Sequence, residues 1–142
     1  MRNLKFETTE GEPPTEDFKA LSDGLLSHHA SQGHTRTWKK FCIFLKDEVG
    51  TAYAGIIVTF TWNGMQINSL WVEESLRGQD YGTKLIEMAE DKARRRGCTI
   101  AFTDTFSWQA QGFYEKLGYK LYGKLEGFPE GNALNYYSKK LN

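Results

Sequence analysis

The stretch Leu70-Trp71-Val72-Glu73-Glu74-Ser75-Leu76-Arg77-Gly78-Gln79-Asp80-Tyr81-Gly82-Thr83-Lys84-Leu85-Ile86 decides the fold. Its opening residues, aromatic and β-branched, read as the end of a strand. A glycine-bearing turn follows, opened by Arg77, and then a helix that runs to Arg94-Arg95-Arg96 and stops at Gly97. Leu85, Met88, Ala89, Lys92, Ala93 and Arg96 recur at helical spacing and give one apolar stripe edged by charge. Glu87, Glu90 and Asp91 precede the three arginines, as the helix dipole favours, and Gly97 suits the position after the last turn. Strand, glycine turn and helix N-terminus together make a place for an anion. Amides of the first helical turn point out of the helix end, and glycine lets phosphate oxygens approach the backbone without a Cβ in the way.

Upstream, Leu4 to Thr8 alternates and predicts a first strand at a sheet edge, broken by Gly11-Glu12-Pro13-Pro14. Thr15 is placed to cap a helix through about Leu26, with Phe18, Leu21, Leu25 and Leu26 on one side. The polar stretch Ser27 to Thr35 holds His28, His29 and His34. A polar loop or a second short helix is preferred there over a metal cluster. Trp38 to Lys46 and Thr51 to Trp62 read as strands, and Asn63-Gly64 reads as a two-residue hairpin turn into Met65 through Val72. Three antiparallel strands therefore lead into the glycine turn.

Downstream, the apolar run Cys98 to Thr103 follows the helix, so strand, helix and strand imply a parallel pair. Ser107 is placed to cap a helix from Trp108 to Leu117, ended by Gly118. Tyr119 to Leu125 and Ala133 to Lys140 are two further strands around the irregular loop 127–132. The fold class is α/β in the α+β sense: a mixed, mostly antiparallel sheet of about six to seven strands, flanked by helices.

Two segments carry a family resemblance. Arg77-Gly78-Gln79-Asp80-Tyr81-Gly82 resembles the pyrophosphate loop of the GCN5-related N-acetyltransferase (GNAT) superfamily, whose pattern is Gln or Arg, two residues, Gly, one residue, then Gly or Ala. Some thirty residues on, Ser107-Trp108-Gln109-Ala110-Gln111-Gly112-Phe113-Tyr114-Glu115-Lys116-Leu117-Gly118-Tyr119 looks like the family's second signature. The resemblance extends over roughly residues 40 to 140. It implies a single N-acetyltransferase domain over residues 1–142. In this fold the strand ending at Val72 and the one starting at Cys98 splay apart around acetyl-coenzyme A.

It also implies roles. Leu70, Trp71 and Val72 would offer backbone groups to the pantetheine arm, one of them polarising the thioester carbonyl. Arg77, Gly78, Gln79, Asp80, Tyr81, Gly82 and Thr83 would hold the pyrophosphate. Ser107 stands where many relatives have an asparagine that touches the cofactor. Tyr114 matches the tyrosine that protonates the departing thiolate, while Phe113 beside it reads as core. The general base is open among Glu73, Glu74 and Asp104, or a chain of water. Asp80 departs from the pattern, which has glycine there; its carboxylate either opposes the pyrophosphate or points outward and caps the helix. No metal is expected. The acceptor is expected to be an amine of a small molecule or of a protein, with a homodimer as the assembly. The alternative is a coenzyme A-binding or sensor module that does not catalyse, of which Asp80 would be a mark.

Composition agrees with a modest globular domain. In 142 residues, 18 Lys and Arg balance 18 Asp and Glu, so no basic surface invites nucleic acid. Cys42 and Cys98 both lie in apolar strand patterns and read as buried thiols. No apolar run is long enough to span a bilayer, and a soluble cytoplasmic protein is expected.

Overall fold

The computed structural model describes residues 2–109 and 112–142, and the chain divides into two compact units, Met1–Arg36 and Thr37–Asn142. In the first unit the expected strand at Leu4 to Thr8 does not form. The stretch is extended without a ladder, and Leu4 and Phe6 lie open to solvent. Alternation alone cannot hold a strand, because its backbone groups need a neighbouring strand to bond.

Helix α1 spans Thr15–Ser31, longer than expected, and takes in His28 and His29. Pro14 rather than Thr15 occupies its N-cap, and no side chain caps it. The Ser31 hydroxyl donates to the His28 carbonyl at 2.7 Å, and Gly33 at φ +84° ends the helix. The start of that polar stretch, Ser27 to Ser31, is thus the last turn of the first helix. Among the described residues no three metal-ligating side chains cluster, and no helix is long and apolar enough to cross a membrane.

The second unit is built on six strands: β1 Trp38–Lys46, β2 Ala52–Thr61, β3 Gly64–Val72, β4 Ile100–Phe106, β5 Lys120–Glu126 and β6 Ala133–Lys140. They lie in the order β1-β2-β3-β4-β6-β5, and only β3 and β4 run parallel. The expected mixed sheet with one parallel pair is therefore present, with six strands. The hairpin between β2 and β3 turns one residue earlier than expected. Thr61 pairs with Gly64, so Trp62 and Asn63 are the loop, and Trp62 takes φ +47°. A positive φ at the first loop residue alone is the type II′ pattern. Gly64 lies inside the strand instead, where a Cβ would sit 3.3 Å from the Phe102 ring, a tight contact.

Helix α2, Tyr81–Arg95, covers the sheet with Leu85, Ile86, Ala89, Glu90 and Ala93 buried. Met88, expected on that stripe, is exposed, and Ile86 and Glu90 take its place. Ile56, Val58, Met65 and Ile86 are fully enclosed and form the centre of the core. Glu90 is tolerated there because the Tyr119 hydroxyl donates to it at 2.7 Å and Lys139 Nζ lies 3.1 Å away. A buried carboxylate needs such pairing. Cys98 is buried, but Cys42 is exposed: it sits on the outer face of the edge strand β1.

The second helical signature also differs. Helix α3 is short, Phe113–Lys116, with Gly112 at φ +76° before it. Ser107 does not cap it. Its hydroxyl donates to Asn132 Oδ1 at 3.0 Å and accepts from the Ala133 amide at 3.1 Å, which fastens the end of β4 to the loop before β6. Ala110 and Gln111, part of that signature, lie outside the described residues.

Candidate active site

The site begins where β3 and β4 part. Their parallel ladder runs from Gly64 and Ile100 to Ile67 and Thr103 and stops there. The Thr103 hydroxyl donates to the Ile67 carbonyl at 3.0 Å and closes that last rung. The next residue, Asn68, is a bulge: Val58 pairs with Ile67 and Ile57 with Ser69, leaving Asn68 without an opposite residue on β2. The Thr59 hydroxyl donates to Asn68 Oδ1 at 2.7 Å. A bulge adds twist and bends its strand. β3 accordingly turns off while β4 continues alongside β6 to Phe106. Residues 69–72 stay laddered to β2 on one edge and present their other backbone edge to the opening.

At the far end of that edge the chain makes a 3₁₀ turn, Glu74–Leu76. Glu73 closes it: its carboxylate accepts from the Ser75 amide at 2.9 Å and from the Ser75 hydroxyl. Arg77 Nε donates to the Val72 carbonyl at 3.0 Å, and Gln79 Nε2 to the Ser75 carbonyl at 3.3 Å. Gly78 and Asp80 both take positive φ, +77° and +65°. This explains Asp80. Its place in the loop requires the left-handed conformation, which glycine enters freely and Asp more readily than most side chains. Its carboxylate makes no capping bond, so the helix-cap role considered for it is not the one it has. The Lys84 amide bonds the Asp80 carbonyl at 3.0 Å, and the amides of Tyr81, Gly82 and Thr83 ahead of it are those a helix leaves at its N-terminus.

These amides open on a groove of about 740 Å³. Leu70, Trp71, Val72, Arg77, Gly78, Asp80, Tyr81, Gly82 and Thr83 line one side, and Trp108, Phe113 and Lys116 the other. Gln79 is the one member of the expected loop set that does not line it. Phe113 packs against the core, as expected, and also borders the groove. A Cβ on Gly82 would come within 3.3 Å of the Phe113 ring and 3.8 Å of Val72. Glycine at that position lets the helix close against Phe113. Trp108 lies flat on Phe106, with centroids 4.6 Å apart and planes 3° from parallel.

The groove leads into a narrower cleft of about 300 Å³ between the parted strands, lined by Asn68, Ser69, Thr103, Asp104 and Tyr114 among others. Tyr114 is wedged among rings: Phe113 and Tyr119 meet it edge-on at 5.1 and 5.5 Å, and Tyr137 stacks at 5.9 Å. Burial pushes its phenol up to about 12. The nearby Thr103 hydroxyl opposes the shift, and the Asp104 charge adds to it. Asp104 therefore faces the same cleft as Tyr114. Glu73, spent on Ser75, and Glu74 do not line it, and Ser107 lines a separate cavity beyond Tyr114.

The sequence pointed to the loop, to β3 and to Tyr114. It gave no indication of Thr103, the Asn68 bulge, Phe113 as a groove wall, or Gln109, which lines both groove and cleft. An asparagine breaking the apolar run Met65 to Val72 is the one signal that could have marked the bulge.

Comparison with known proteins gives a consistent answer. The model of the Acetyltransferase (GNAT) family matches residues 3–119. The chain is 30% identical to blasticidin-S acetyltransferase of Streptomyces morookaense over 107 residues, which cover 75% of this chain and 79% of that protein. It superposes on a crystal structure of an acetyltransferase from Bacillus cereus with a TM-score of 0.83 at 26% identity, covering 94% of this chain and 97% of the other. A structure of aminoglycoside 6′-N-acetyltransferase complexed with coenzyme A shares the fold, with a TM-score of 0.63 at 20% identity, covering 72% and 73%.

Proposed function

Because this chain belongs to the acetyltransferase (GNAT) family, we propose that it moves an acetyl group from acetyl-coenzyme A to a primary amine of a small molecule or protein, by direct attack in a ternary complex. One observation carries this reading. The open edge of β3 forms a continuous track from the phenol of Tyr114 to the N-terminus of α2. The reading takes residues 1–142 as one acetyltransferase domain; the family match, residues 3–119, spans both compact units.

The chain's own groups suit the cosubstrate. The amides of residues 78–83, the Arg77 guanidinium and the dipole of α2 favour a pyrophosphate at the loop. Backbone groups of Leu70, Trp71 and Val72 suit an amide-bearing arm. An amide on that edge also provides the donor that an acyl-transfer transition state needs at its carbonyl oxygen.

Tyr114 is the proton donor to the leaving sulfur. A phenol held near 12 stays protonated at neutral pH and can always donate a hydrogen bond. Giving the proton away outright to a thiolate of pKa about 8.5 is uphill by roughly 3.5 units, or about 5 kcal/mol. The hydroxyl therefore works best as a relay, passing its proton to sulfur as it accepts one from the attacking nitrogen. Asp104, across the same cleft, draws the acceptor ammonium in and receives its first proton. Glu73 is the weaker candidate for that role, because its carboxylate already accepts two hydrogen bonds from Ser75.

Incubation with acetyl-coenzyme A and a panel of amines, read by mass spectrometry, tests the function. Acetylated amine and free coenzyme A in equal amounts are expected. Tight coenzyme A binding with no product from any amine would instead support a non-catalytic module.

A further inference from the structure

Strand β6 turns Asn135, Tyr137 and Lys139 toward one face in succession. Lys139 Nζ meets Glu90 of α2 at 3.1 Å, and the Tyr137 hydroxyl donates to Glu115 Oε1 of α3 at 3.0 Å. Asn135 is the third of the row, and its Oδ1 is buried with no hydrogen-bond partner among the described residues. An amide oxygen withdrawn from water without a donor is costly, so such atoms mark places where a partner belongs.

Asn135 lines a cavity of about 490 Å³ between α3 and strands β4, β6 and β5. Two other polar neighbours, Lys124 and Ser107, are engaged elsewhere. Lys124 Nζ lies 3.4 Å from Glu126, and the Ser107 proton goes to Asn132. Open to an incoming N–H are the Asn135 oxygen and the Glu115 carboxylate, which accepts from Tyr137 alone among the hydrogen bonds described. The cavity shares Thr105, Gln109 and Tyr114 with the cleft that holds Asp104, and that cleft shares Leu70, Gln109 and Phe113 with the groove at the phosphate loop. Gln109 borders all three spaces, and Thr105 and Tyr114 form a wall common to the Asn135 cavity and the cleft.

We infer that this third cavity holds the far end of the acceptor, and that the acceptor is a diamine or polyamine. One amino group reaches the cleft between Tyr114 and Asp104, and a second, cationic one is bound by Glu115 and Asn135 Oδ1. The inference rests on the acetyltransferase reading for the first amino group and on the Asn135 cavity for the second.

Calorimetric titration of 1,4-diaminobutane and spermidine, with butylamine as the monoamine control, tests it without turnover. At least one of the two polyamines is expected to bind tenfold or more tighter than butylamine. Glu115→Gln and Asn135→Leu are each expected to bring that preference to within about twofold. Equal affinities for all three amines in the wild type, or a preference that survives both substitutions, would overturn the inference. Acetyl-coenzyme A titrated into the same samples separates the two claims. Normal acetyl-coenzyme A binding with no polyamine preference removes the inference alone. A preference that the substitutions abolish, with no coenzyme A released from any amine, removes the catalytic reading and leaves a polyamine site.

Discussion

Tyr114 and Thr103 line one cleft, and the Thr103 hydroxyl closes the last rung of the ladder between β3 and β4 by donating to the Ile67 carbonyl at 3.0 Å. The residue proposed to protonate sulfur thus lies beside the point where the strands part.

Replacing Tyr114 by Phe should lower turnover by about 100-fold or more, the usual worth of a positioned proton donor, with little change in acetyl-coenzyme A affinity. The same substitution has a stability signature. A phenol whose pKa is raised from 10.0 to about 12 contributes stability in full below pH 10, and loses it as pH rises through 12. Two units correspond to about 2.7 kcal/mol at most. Denaturant melts of wild type between pH 9 and 12 should therefore steepen in their loss of stability above pH 10, and Tyr114→Phe should flatten that slope. Turnover within about twofold of wild type would remove Tyr114 from the mechanism.

Gly82→Val should weaken acetyl-coenzyme A by more than tenfold. The cause is the 3.3 Å approach of a Cβ to Phe113: the added methyls must push the Phe113 ring into the groove it borders. Calorimetry checks this. Unchanged affinity would mean that the groove beside α2 is not where the cosubstrate lies.

Asp80→Gly should tighten acetyl-coenzyme A. Asp80 lines the groove, makes no capping bond and holds φ +65°. A carboxylate roughly 6 Å from a phosphate charge costs about 0.7 kcal/mol in a watery setting and nearer 3 at an effective dielectric of 20. In a solvent-open loop the lower figure governs, so a gain of about threefold in Kd is expected, shrinking with salt. Glycine also relieves the left-handed backbone, so the variant should melt no lower than wild type. Equal affinities at low salt would show that the carboxylate does not oppose the phosphates.

Lys139→Met should destabilise the fold by about 3 kcal/mol, since Glu90, 3% exposed, would keep only the Tyr119 hydroxyl and an arginine at 3.9 Å. A double variant with Glu90→Gln should recover much of the loss. No recovery would show that packing, not the buried charge, sets the cost.

These residues also show what a sequence reveals. The strand-turn-helix from Leu70 to Gly97 was legible because its signals are local: period, glycines and charge order. Asp104 and Tyr114 were legible through the residues beside them. Leu4 to Thr8 misled because a strand exists only with a partner, which no local pattern specifies. Ser107 misled because its hydroxyl is committed to Asn132, 25 residues away. Glu90 was read only as one of the acids the helix dipole favours, because its partners, Tyr119 and Lys139, come from 29 and 49 positions along the chain.

A crystal structure with acetyl-coenzyme A bound tests the central claim most directly. It should show the pyrophosphate on the amides of residues 78–83 and the pantetheine arm along the open edge of residues 69–72. The thioester sulfur should lie within hydrogen-bonding reach of the Tyr114 hydroxyl. Acetyl-coenzyme A bound away from that edge, or a sulfur out of reach of Tyr114, would contradict it.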